Sequence, residues 1–115
     1  MRAVLLCAVL GLVTENSANA ASISVIGAGA VSCGKWLEQR GDKRARAEAA
    51  QWVFGYLAAY NAANEARQVE VHDTQSVTAF LDRYCSINPL QAVPAAAAAL
   101  VEELGGAKSK HTWRK

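Results

Sequence analysis

Three cysteines stand in a chain of 115 residues, at Cys7, Cys33 and Cys85, and their odd number constrains the fold more than any other feature. An odd count strands one thiol unless a cysteine lies in a segment removed during export. Cys7 lies in a stretch of that kind. Arg2 supplies a minimal positive start, residues 3–13 form an eleven-residue apolar run, and Ala18-Asn19-Ala20 has the small-x-small pattern of a signal-peptidase site. Glu15 and Asn16 close the run far short of the roughly 20 apolar residues that a bilayer span needs. Leu5 and Leu6 precede Cys7 where a lipoprotein site wants small residues. Residues 1–20 are therefore expected to be a signal peptide, cleaved near Ala20.

Export removes Cys7 and leaves Cys33 and Cys85, an even pair in an oxidising compartment, where one disulfide is the default. A bridge enclosing about 50 residues stabilises a chain by about 4 kcal/mol in the loop-entropy model, an upper-end figure. The mature chain has 95 residues, with 52% apolar content in the full sequence. That is enough for one small core and no second domain, and small cores lean on such crosslinks.

Residues 21–32, ASISVIGAGAVS, are small, β-branched and uncharged, and a flexible lead-in is expected there. They imitate the glycine turn of a dinucleotide-binding strand–helix unit, with Gly27 and Gly29 in the first two glycine places and Ser32 in the third. Such a site needs a parallel sheet, and the remainder of the chain reads helical. Cys33 to Leu37 should form a helical turn that Gly41-Asp42 breaks. Asp42 can cap a long helix over residues 43–65, in which Ala45, Ala49, Trp52, Val53, Tyr56, Leu57 and Tyr60 form one apolar stripe.

Residues 61–72 are a polar connection whose end, residues 68–72, alternates like an edge strand or an extended loop. Asp73 can cap a helix of about a dozen residues with Val77, Phe80, Leu81 and Tyr84 on one face and Cys85 beside it. Asn88-Pro89 is a candidate start for the last helix, with Asn88 as cap, and Gly105-Gly106 a candidate end. Pro94 either kinks that helix or divides it into a turn at 89–93 and a helix from 94. The expected fold class is all-α, a small bundle of three to four helices over residues 33–106 closed by one disulfide.

Residues 107–115, AKSKHTWRK, form a tail with four basic side chains and no acidic one, whereas residues 21–106 have seven basic and nine acidic ones. The basic balance of the chain is thus a property of its tail. A tail of this kind can touch anionic envelope surfaces, and no nucleic-acid partner is expected from it. An enzyme is not expected either. His72 falls in the connection and His111 in the tail, with no nucleophile or carboxylate placed beside them by spacing. Cys33, Cys85, His72 and His111 lack the short ligand pair of a zinc site. No catalytic residue, metal or cofactor is assigned.

Cys33-x-x-Trp36-Leu37, a long helix containing Trp52, and Phe80-Leu-x-x-Tyr84-Cys85-x-x-Asn88-Pro89 resemble the HdeA/HdeB family of small periplasmic acid-stress chaperones, over the stretch from Cys33 to Leu104. The resemblance implies a periplasmic all-α protein closed by a Cys33 to Cys85 bridge, and a homodimer at neutral pH. At low pH such a dimer dissociates, partly unfolds and holds unfolded periplasmic proteins as clients through exposed apolar surface. By position, Trp52, Val53, Leu57, Val77, Phe80 and Leu81 would be the core or interface surface that becomes client-binding. The Ala-rich last helix, the glycine-rich lead-in and the basic tail depart from the family's pattern.

An acid response is physically reasonable. Protonating nine carboxylates and two histidines takes the mature side-chain charge from +2 to about +13, with reference pKa values near 4 and 6.5. Self-repulsion on that scale loosens a small domain while a disulfide keeps it compact. The competing expectation is a periplasmic protein-binding protein, a toxin-immunity protein or an envelope-complex subunit, that binds one specific partner and has no chaperone activity.

Overall fold

The computed structural model describes residues 22–110, 112 and 113. The expected signal peptide over residues 1–20, with Cys7, lies outside the described residues, as do His111 and the last two positions of the tail. The described residues form four helices joined by short connections: α1 (Cys33–Glu38), α2 (Lys43–Ala63), α3 (Thr74–Ile87) and α4 (Val93–Glu103). Two two-residue strands, β1 (Ser22–Ile23) and β2 (Thr112–Trp113), pair in parallel and bring the two ends of the described chain together. The architecture is an all-α bundle closed by a Cys33–Cys85 disulfide. No helix among the described residues is long and apolar enough to cross a membrane.

Three of the four helices, α1, α2 and α3, begin where a short polar side chain takes up an orphan backbone N–H. Ser32 accepts from Lys35 N at 3.0 Å at the head of α1, and Asp42 accepts from Ala45 N at 3.0 Å at the head of α2. Asp73 accepts from both the backbone N–H and the hydroxyl of Ser76, at 2.6 and 3.0 Å, at the head of α3. This holds the Asp73 carboxyl below the ordinary aspartate range, the backbone bond from Ser76 being the largest cause.

The start of α4 differs from the Asn88-Pro89 expectation. Asn88 closes α3 instead: its backbone N–H and its Nδ2 both donate to Tyr84 O, at 2.8 and 3.0 Å. Residues 89–91 turn, and α4 starts at Val93 with Pro94 in its first turn. A first-turn proline loses nothing, because that N–H has no intrahelical acceptor. Of the two outcomes open to Pro94, the division into a turn and a helix is the one adopted. α4 ends in a Schellman arrangement, with Gly105 at φ +87° donating to Glu102 O and Gly106 donating to Val101 O.

The core lies between the facing stripes of α2, α3 and α4, with α1 against the end of α3. Ala49, Ala50, Val53 and Leu57 of α2 meet Val77, Leu81 and Cys85 of α3, and Ala96, Ala97, Leu100 and Val101 of α4. The alanines of α4 allow close helix approach. Between α2 and α3 a 3-10 turn at Glu65–Arg67 is followed by residues 68–73, which form no strand, and Asn61 ties them down: Nδ2 donates to Val69 O and Oδ1 accepts from Val69 N. That pairing explains how buried Val69 lies in an otherwise polar connection.

The lead-in, expected to be flexible, follows a path defined by contacts with the bundle. Trp52 Nε1 donates to Ile26 O at 2.9 Å, and a turn at residues 27–30 lays Gly29 flat on the Trp52 ring. A Cβ on Gly29 would overlap the indole, and Gly27 has φ +95°, so both glycines answer to local packing. Beyond the turn, Cys33 N donates to Gln91 O and Val93 N to Val31 O, an antiparallel contact that joins the head of α1 to the head of α4. The strand-and-helix sheet of a dinucleotide site does not occur among the described residues.

Candidate functional site

Arg46 on α2 stands one position past the Ala45 of the apolar stripe and turns inward. Its Nη2 donates to both carboxylate oxygens of Asp82 on α3, at 2.9 and 2.8 Å. Its guanidinium lies over the Trp36 ring of α1, 4.1 Å from the centroid, within the range of a cation–π contact. Trp36 is fully buried, and its Nε1 donates to Asp82 Oδ1 at 2.9 Å. One carboxylate thus links three helices, immediately beside the disulfide between α1 and α3. Arg46 Nη1 is buried and has no hydrogen-bond partner, so the guanidinium's stabilisation depends on Asp82 and on the indole face.

A second region lies on the outer side of α3. Phe80 and Tyr84 stack with centroids 6.2 Å apart, and Ile87, one turn further, is 72% exposed. The spacing 80, 84, 87 puts the three on one helical face. They line two adjoining depressions between α3 and α4, of about 590 Å³ and 500 Å³, both of which Phe80 and Arg83 border. Burial, aided by the nearby Glu102, pushes the Tyr84 hydroxyl up from its ordinary pKa.

The six residues expected to bind clients are divided by the structure. Val53, Leu57, Val77 and Leu81 are in the core. Trp52 is half-buried under the lead-in and stacked on Tyr56, whereas Phe80 borders the α3–α4 depressions. The Arg46–Asp82–Trp36 cluster escaped the sequence reading. Its one visible sign is Asp82 itself, the single acidic residue of α3, placed between Leu81 and Arg83 and three residues before Cys85. Its partners are 36 and 46 positions away, and no local pattern pairs them.

His72 and Glu70 lie 3.6 Å apart and are both largely exposed. Among the described residues no three His, Cys, Asp or Glu side chains converge in a way that could hold a metal ion. No protein-family model, curated protein or solved structure matches the chain.

Proposed function

We propose that the chain is a periplasmic holdase activated by acid, which binds unfolded clients through apolar helix faces that the neutral-pH fold keeps covered. The observation that carries this reading is the Asp82 carboxylate, shared by Arg46 of α2 and Trp36 of α1. Asp82 ties α1, α2 and α3 together at one point, and loss of that tie would leave the largely buried Arg46 guanidinium without its counter-charge, which is unfavourable in a shielded site. Behind the cluster lie Val53, Leu57, Val77 and Leu81, the apolar surface released when α2 and α3 part. The Cys33–Cys85 bridge would keep α1 and α3 joined in the opened state, so that return to neutral pH restores the fold. The HdeA/HdeB resemblance points the same way, and with it a neutral-pH homodimer.

The Asp73 cap supplies a response to acid. Its pKa is lowered in the fold, so its contribution is complete above the unfolded-state value and disappears as pH falls through the folded one. The test is light scattering of an acid-denatured client at about pH 3 with and without the mature, oxidised chain. Suppression of scattering at that pH and none at pH 7 is the expected result. Asp82→Asn, which weakens the tie between the three helices, should bring suppression in at higher pH. Client aggregation that the chain leaves unchanged at low pH would overturn the reading.

A further inference from the structure

We infer that the groove between α3 and α4 is a docking site, open in the folded chain at neutral pH, for a basic amphipathic segment of a partner polypeptide. Its floor is apolar: Phe80, Tyr84 and the exposed Ile87 run along one face of α3 for about 10 Å. Its rim is acidic. Glu70 and Asp73 border the upper depression and Glu102 and Glu103 the lower, and Arg83 is the one Lys or Arg among the described residues that line them. That Arg83 is already engaged, its guanidinium 5.4 Å from the Phe80 ring centroid and 3.8 Å from Glu103.

Four carboxylates around an apolar floor therefore face solvent with one cation among them. A helix with Lys or Arg flanking aliphatic or aromatic anchors matches this surface in both respects, the anchors filling the floor and the cations the rim. An acidic or uncharged segment matches only the floor. The site needs no opening of the bundle and is distinct from the core surface invoked for acid-activated holding.

The test uses the mature, disulfide-bonded chain at pH 7 and low salt, with a fluorescent amphipathic Lys/Leu/Trp peptide of about four turns and a matched peptide carrying Glu for Lys. The basic peptide should bind, added salt should weaken it, and the acidic one should not bind. The double reversal Glu102→Lys/Glu103→Lys and, separately, Ile87→Asp should each weaken binding by about tenfold or more. These side chains are exposed, so helicity and the disulfide should be unchanged in the variants. The proposal falls if the basic peptide fails to bind, if the acidic peptide binds equally, or if the reversals leave affinity unchanged. It also falls if sedimentation shows a wild-type dimer that Ile87→Asp splits, because the groove is then covered by a second copy.

Discussion

Arg46 and Asp82, 36 positions apart in sequence, meet on the inner sides of α2 and α3 with one guanidinium nitrogen within 2.9 Å of both carboxylate oxygens. The Arg46 side chain is 14% exposed and that of Asp82 36%, so the pair is shielded on one side and wet on the other. Removing one partner leaves the other poorly solvated. Asp82→Ala should lower neutral-pH stability by about 2 kcal/mol, less than for a fully buried pair because water reaches the carboxylate. Urea unfolding checks this. A double-mutant cycle with Arg46→Ala should return a coupling of about 1 kcal/mol, since the double variant has no uncompensated charge.

Gly29 lies where any Cβ would overlap the Trp52 ring. Gly29→Ala should therefore push the indole or the lead-in aside and destabilise the fold by about 1 to 3 kcal/mol, the usual scale of overpacking. Near-UV circular dichroism reports the displaced tryptophan, while far-UV helicity should hold because the helices do not depend on that turn. An unchanged tryptophan signal would show that the contact is not maintained in solution.

Both half-cystines are fully buried, Cys33 at the head of α1 and Cys85 in the last turn of α3. A reductant has to wait for opening, so the native chain should resist dithiothreitol at pH 7 and lose its bridge at once in urea. The Cys33→Ser/Cys85→Ser variant should lose up to about 4 kcal/mol, the loop-entropy figure for a separation of 52 residues. Thiol labelling against time and equilibrium unfolding measure the two effects.

Asp73 caps α3 through two bonds to Ser76, and its carboxyl is held below the ordinary value by them. Asp73→Ala should lower the thermal midpoint at pH 7 by a few degrees. A depressed pKa means that the charged form supports the fold, so the gap between wild type and variant should be complete at neutral pH and shrink below about pH 4. Melting curves along an acid series test the sign. A gap that widened in acid would contradict it.

Much of the helical framework was legible because its signals are local. Asp42 and Asp73 cap helices by bonding to N–H groups three positions on, and Gly105-Gly106 ends α4 for the backbone reason that only glycine enters left-handed space freely. The core side of α2 and α3 followed from period 3.6, with Val53, Leu57, Val77 and Leu81 all buried. Asn88 was misleading because an asparagine can close one helix as readily as open the next. The choice turned on the Cys33 N to Gln91 O and Val93 N to Val31 O bonds, which hold residues 91–93 extended against the lead-in.

The sequence by itself determined the all-α class, the cysteine pair and the acid–base asymmetry between helical body and tail, since periodicity, parity and charge are additive along a chain. Tertiary structure alone decided which polar groups meet. Nothing within a helical turn of Asp82 announces Arg46 or Trp36, and nothing near Glu102 announces Glu70. Such groups come together only when packing of the apolar stripes sets the register of one helix against another, so the charged cluster and the acidic groove are consequences of the core.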